Sequence, residues 1–335
     1  AMHGPNWTQL LVGSEGTLAV ITSARLRIWP RPRKQWLRGI RFPGVQDGMR
    51  ALRSIMRSGL RPAVARLYDP LDTLLAGGGA GSARDGRSPK GGAFQWSGGA
   101  ALQVPQPLKW VVEGAQAEAL KIALKAPTLL NRLVDALPAA SLMILGFEGD
   151  SDLDLDGEGE AALALCRAEK GADLGPSPGE RWLANRYKIS YRQSPLFSAG
   201  AFVDTMEVAT TWDRLDVLYG NVRRAVQNHA FVLAHFSHAY LEGCSIYFTM
   251  IGWAGENVGD AEGDLEEAES RYDACWKAAL NAVADTGATL SHHHGIGLAK
   301  QVFLPREHGE GMRQLRALKK AFDPSGILNP GKLLL

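Results

Sequence analysis

No two of the three cysteines, Cys166, Cys244 and Cys275, form a CxxC pair, and their number is odd. That arithmetic argues against a disulfide framework and makes a reducing compartment the simple reading. No apolar run approaches the roughly 20 residues of a membrane-spanning helix. The opening Ala1-Met2-His3-Gly4-Pro5 lacks the basic and apolar regions of a secretory signal. Charge of one sign is also missing: 37 Lys and Arg face 35 Asp and Glu, a net +2 in 335 residues. That balance gives no electrostatic reason for a nucleic-acid partner. No sustained internal repeat is present, so solenoids are set aside. What remains, at 45% hydrophobic and 21% charged, is the composition of an ordinary globular protein placed in the cytoplasm.

Strands and helices are mixed along the chain. Leu10-Leu11-Val12 and Leu18 to Leu26 read as short strands around Gly13-Ser14-Glu15-Gly16-Thr17, with Pro30 and Pro32 ending the pairing. Because strand-like residues begin almost at once, the chain is expected to start inside a domain. A helix is predicted over 46–58 and a strand over 63–68. Residues 77–99, rich in Gly, Ser and Arg, read as a flexible surface loop. Helical patterning over 115–136 is interrupted by Pro127. A buried strand is predicted over 141–147, helices near 157–170 and 212–227, and a strand pair 231–236 and 244–251 around Glu242-Gly243. The stripe Leu265, Ala268, Tyr272, Cys275, Trp276, Ala279, Leu280, Val283 has helical spacing, which makes Cys275 a small core residue. A last helix near 308–321 stops at Asp323-Pro324. The pattern is that of an α/β (α+β) fold.

Ser291-His292-His293-His294-Gly295-Ile296-Gly297 is the segment richest in chemistry. Imidazoles donate, accept or hold a proton near neutral pH, and the glycines let the backbone turn tightly beside them. In an extended segment His292 and His294 would share one face and His293 the other. Metal is a rival reading, in which His235 and His238 would join His292 and His294 as nitrogen ligands; we assign no metal.

Two stretches, Val12-Gly13-Ser14-Glu15-Gly16-Thr17-Leu18-Ala19-Val20-Ile21-Thr22 and Ala321-Phe322-Asp323-Pro324-Ser325-Gly326-Ile327-Leu328-Asn329-Pro330-Gly331-Lys332, resemble landmarks of flavoenzymes of the vanillyl-alcohol oxidase superfamily. Within it the chain resembles the alkyldihydroxyacetonephosphate synthases, through Arg66-Leu67-Tyr68-Asp69, Phe147-Glu148-Gly149-Asp150, Trp212-Asp213-Arg214, the Tyr240-to-Phe248 segment and the histidine triplet. Related FAD-dependent 2-hydroxyacid dehydrogenases carry Gly-Glu-His-Gly where this chain has His292-His293-His294-Gly295, and use a metal.

The resemblance implies an FAD enzyme that exchanges the acyl group of an acyl-dihydroxyacetonephosphate for a long-chain alcohol. Residues 1–32 would complete an FAD-binding domain, 33–253 would form an antiparallel-sheet cap with flanking helices, and 254–335 would return to the flavin. Tyr240, His292, His293 and His294 would be catalytic. Arg66 and Arg192 would hold the substrate phosphate, since a guanidinium forks onto phosphate oxygens. Gly13, Ser14, Glu15, Gly16, Thr17, Ile21, Asn329 and Lys332 would approach the cofactor. The loop that binds the FAD pyrophosphate has no counterpart here, so the chain reads as the C-terminal part of a longer protein. The implied partners are a lipid-phosphate substrate, a second copy in a homodimer and a peripheral membrane surface, with 128–137 as the stretch able to touch lipid. Each residue also has a plainer reading: a buried tyrosine, a structural ion pair, a tight turn, a loose tail. Two other functions stay open, an FAD-linked oxidase or dehydrogenase of a 2-hydroxy acid and a non-catalytic module.

Overall fold

A computed structural model describes residues 3–73, 124–136, 140–187, 196–197, 200–255 and 262–335. Arg192, the 77–99 loop and the first part of the 115–136 helix lie outside the described residues.

One seven-stranded sheet organises the molecule, in the order β4-β1-β3-β2-β6-β7-β5. The strands are β1 (Lys34–Phe42), β2 (Val64–Tyr68), β3 (Ser141–Gly149), β4 (Ala172–Asp173), β5 (Ala201–Thr211), β6 (Phe231–Ala239) and β7 (Gly243–Trp253). Every neighbouring pair is antiparallel. The 231–236 and 244–251 pairing read from sequence is the β6–β7 hairpin.

Alternation along the strands sorts the two faces. Leu67, Met206, Val208, Val232, Ala234, Phe236, Ile246, Phe248 and Met250 join one large core. Four helices cover that face: α2 (Val45–Arg57), α4 (Asp152–Ala168), α6 (Leu215–Val226) and α7 (Glu262–Thr286). Cys275 and Val283 of α7 are fully buried against it, as the helical stripe predicts. Between β2 and β3 in sequence, α3 (Pro127–Ala136) packs beside β6, and α5 (Ser177–Asn185) lies near β1. On the opposite face the described apolar residues form two small clusters, one around Phe231, Leu233 and Ile251 and one around Tyr68, Leu142 and Ile144. Arg66, His235, Tyr247 and Glu207 belong to that second face by the same alternation. Register aligns three of them with Tyr68 in one cross-strand row: Glu207 opposite Tyr247, Tyr247 opposite His235, His235 opposite Tyr68.

The N-terminal expectations need correction. Leu10 and Leu11 lie in a short helix, α1 (Trp7–Leu11), not a strand; Asn6 caps it by accepting from the Gln9 amide at 3.2 Å. Residues 18–26 form no strand either. A strand exists only with a hydrogen-bonded neighbour, and residues 18–32 make no backbone–backbone bond among the described residues. Leu26, Ile28 and Trp29 are exposed there despite their strand propensity. The C-terminal segment consists of three helices after the histidine triplet: α8 (Gly297–Gln301), α9 (Leu304–His308) and α10 (Gly311–Phe322).

Candidate functional site

The triplet reaches the second face of the sheet because the chain leaving α7 bridges to the edge strand β5. Thr289 pairs with Ala209, its amide donating to the Ala209 carbonyl at 3.0 Å. Two residues later the backbone bends over Glu207. This carboxylate accepts from the His292 and His293 amides at 2.8 and 3.1 Å. Successive amides converging on one oxygen form an anion-binding concavity, and that overrides the extended geometry expected from sequence. His292 and His293 therefore do not face opposite ways: their Nδ1 atoms are 2.9 Å apart, and both lie over Glu207, at 3.1 and 3.2 Å from Oε1.

Glu207 has no exposed surface. Burial alone would push its pKa up; the His293 and His292 amides, with the nearby imidazole rings, outweigh it and hold the carboxyl below its usual range. Beneath it, the buried Lys300 donates to the Glu207 carbonyl at 3.1 Å, and burial lowers the lysine's pKa. Sequence reasoning missed both residues. The available signal was a glutamate alternating with the core residues Met206 and Val208.

Tyr240 sits in the β6–β7 turn, its hydroxyl 2.9 Å from His292 Nε2. The turn is fixed from below by Trp212, whose indole donates to the Tyr240 and Leu241 carbonyls at 3.1 Å each. Gly243 is required here, because a Cβ would lie 2.1 Å from the Thr210 carbonyl oxygen. A register shift between Phe236 and Ala239 marks a bulge. It turns His238, which strict alternation would send to the core side with Phe236, toward the triplet. Its ring lies 4.8 Å from that of His293 and its Nδ1 is 3.3 Å from Ser245 Oγ. Burial, then the rings of His293 and His292, lower its pKa.

Arg66 enters the same face from β2. Its guanidinium is 2.7 Å from His235 Nε2 and 5.2 Å above the Tyr68 ring, while its Nε is buried with no partner among the described residues. His235 is held at Nδ1 by Asp72, 3.0 Å away, and stacks on Tyr247 at 4.7 Å. That engagement removes His235 from the ligand set considered above. His294 packs edge-on against Tyr247 at 5.2 Å. Ring nitrogens of His238, His292 and His293 come within 4.8 Å of one another, a spacing able to hold a metal ion. The two triplet rings, though, already use both nitrogens on protein partners.

The N-terminal turn and the C-terminal tail meet beside this loop. Glu15 receives the Ile296 amide and, at 3.1 Å, that of Gly297, so its carboxylate is engaged by the loop. Gly295 adopts φ +81°, and a Cβ there would press on Glu15 Oε1 at 2.9 Å. Thr17 is buried with its hydroxyl donating to Ser14 at 2.7 Å, which takes it out of the expected donor set. Asn329 donates to the Glu15 carbonyl, opposite Gly16. Lys319, also missed in sequence, binds the Thr17 and Leu328 carbonyls at 2.9 and 2.6 Å. Gly13, Ile21 and Lys332 are at the periphery, with Ile21 64% exposed.

The pattern of the FAD linked oxidases, C-terminal domain, matches residues 31–333. The chain belongs to that family. Among FAD-linked oxidase relatives it is 27% identical over 339 residues to the alkyldihydroxyacetonephosphate synthase of Dictyostelium discoideum, covering 99% of this chain and 49% of that protein. It is 23% identical to D-lactate dehydrogenase [cytochrome] 1, mitochondrial, of Saccharomyces cerevisiae, over 98% of this chain and 47% of that protein. A solved structure of an alkyldihydroxyacetonephosphate synthase superposes with TM-score 0.61 at 24% identity, covering 99% of this chain and 51% of that one. At that identity the likeness shows the fold. The chain spans about half the length of the curated relatives it matches.

The family implies FAD, and the residues present fit one side of a site for it. Tyr240 is 46% exposed beside the histidine loop, and residues 20–31 are exposed with their peptide groups unpaired among the described residues. No helix of the described residues is long and apolar enough to cross a membrane.

Proposed function

We propose that this FAD-linked oxidase domain takes part in an alkyldihydroxyacetonephosphate synthase-type exchange, in which an acyl-dihydroxyacetonephosphate loses its fatty carboxylate and gains a long-chain alcohol. The observation that carries the reading is the Tyr240–His292 contact at 2.9 Å, with Glu207 seated at the other nitrogen of the ring. A phenol takes a proton from carbon only when neighbours stabilise its anion, and a histidine oriented by a carboxylate does so. Bound FAD would supply a reversible anchor for the dihydroxyacetone carbon. Tyr240 would remove and return the proton on that carbon. His292 would hold the proton Tyr240 gives up, and Arg66 would set the phosphate through its guanidinium, with Arg192 as a second cation. Membrane contact belongs to the same reading, since both substrates are lipids; a homodimer is proposed with it.

A second reading, dehydrogenation of a 2-hydroxy acid, is favoured by the D-lactate dehydrogenase likeness and by the His238, His292, His293 grouping. Anaerobic flavin absorbance decides between the two. In the FAD-loaded protein, D-lactate should leave the flavin oxidised, and labelled alcohol should enter ether product from acyl-dihydroxyacetonephosphate. Flavin bleaching by the hydroxy acid, with no alcohol incorporated, overturns the exchange reading.

A further inference from the structure

We propose that Tyr240, His292, His293 and Tyr247 form one proton relay with a phenol at each end, and that Tyr247 is its second terminal. The contacts are continuous: Tyr240 Oη to His292 Nε2, His292 Nδ1 to His293 Nδ1, and His293 Nε2 to Tyr247 Oη, each 2.9 Å. Both nitrogens of both rings are used, so the tautomer of one ring dictates that of the other.

The transfer balances once one proton has passed from the relay to solvent, leaving it with a single negative charge. When Tyr247 is the phenolate, Tyr240 carries its proton, His292 is protonated at Nδ1 and His293 at Nε2. Three protons then move one place along the relay. Tyr240 O–H passes its proton to His292 Nε2, His292 Nδ1 passes its own to His293 Nδ1, and His293 Nε2 passes its own to Tyr247. Tyr240 becomes the phenolate, Tyr247 becomes neutral, and both rings stay uncharged. One negative charge has crossed the site while three O–H or N–H bonds broke and three formed.

The surroundings suit this traffic. Glu207 Oε1 lies 3.1 and 3.2 Å from the two Nδ1 atoms yet is buried without a hydrogen bond aligned to it. It therefore favours a proton at the joint by charge without removing it from the relay. Tyr247 is sandwiched between His235, stacked at 4.7 Å, and the edge of His294. Among the described residues, Arg66, His238 and Lys300 are the remaining charged or titratable groups packed around the relay. Burial, with Glu207 adding to it, pushes Tyr247 up to about 12. Tyr247 thus holds its proton tightly, while the more exposed Tyr240 lies on the side where substrate would arrive. The catalytic use of the relay rests on the proposed exchange; its existence does not.

Nitrogen-labelled histidine and ring-labelled tyrosine NMR on the chain, with and without Tyr247→Phe, tests the relay. The conservative variant should change the tautomer balance of His292, one ring beyond the altered contact, and raise the Tyr240 ionisation midpoint by about one pH unit. His293→Gln, which cuts the middle, should raise that midpoint similarly and serves if Y247F does not fold. In the FAD-loaded protein Y247F should lower the exchange rate about 10–100-fold with KM unchanged. A variant in which His293 responds while His292 and Tyr240 do not overturns the relay. Coupled rings with no exchange activity would leave the relay standing and remove the proposed function.

Discussion

Replacing Glu207 by Gln tests how the histidine loop is held. Glu207 is fully buried, accepts from two consecutive amides at 2.8 and 3.1 Å, and lies within 3.2 Å of two imidazole nitrogens. Hydrogen bonds to a buried charge are worth about 1.5–3 kcal/mol each. Gln keeps an acceptor oxygen and the shape but removes the charge, so the loss is about half of the pair, roughly 1.5–3 kcal/mol. At about 2–4 °C per kcal/mol for a chain of this order, the melting midpoint should fall by about 3–12 °C at neutral pH. Acid should erase the difference. The folded carboxyl is held below its ordinary range, so its contribution is complete above the ordinary carboxylate pKa and disappears as pH falls through the lower folded value. Thermal melts of both proteins from neutral to acid pH measure this. A neutral-pH midpoint within about 1 °C of wild type, or a gap that survives unchanged in acid, refutes the account of Glu207 as the charged anchor.

Arg66→Ala should raise KM for a phosphorylated substrate about 10–100-fold, the equivalent of one or two charge-assisted bonds, in steady-state kinetics of the FAD-loaded protein; an unphosphorylated analogue should bind unchanged. Cys166, Cys244 and Cys275 are all buried, and burial pushes Cys166 and Cys275 up to about 12 and raises Cys244 as well. A thiol reagent should therefore modify none of them in the folded chain and all of them in denaturant. Lys319→Met should speed amide exchange at residues 14–18, because Lys319 ties the Thr17 carbonyl to the C-terminal tail. Exchange as slow as in wild type would show that the turn docks without it.

The strands and long helices were legible because alternation and helical spacing report which side of an element meets the core. The β6–β7 hairpin and α7 follow from such patterns, and so does Cys275 as a packed core residue. Leu10–Val12 and Leu18–Leu26 misled for a definite reason. Strand propensity describes side chains suited to a half-buried pleat, and residues 18–32 have no pleated neighbour among the described residues. In the site, Tyr240, Arg66 and the triplet stood out through motif and family resemblance. Glu207, Tyr247, Lys300 and Lys319 did not, since each is an ordinary residue whose role depends on what folds over it.

Sequence alone determined the residue types available at each face: which strand positions are apolar, where glycines permit turns, and where three imidazoles lie together. Tertiary structure decided which of them meet. Antiparallel register set Glu207, Tyr247 and His235 in one row across three strands. The β6 bulge turned His238 onto their side, and two amides drawn to one buried carboxylate brought His292 and His293 together. Most of those contacts join residues distant in sequence, and their geometry depends on register and hydrogen-bond convergence, neither of which is written in local spacing.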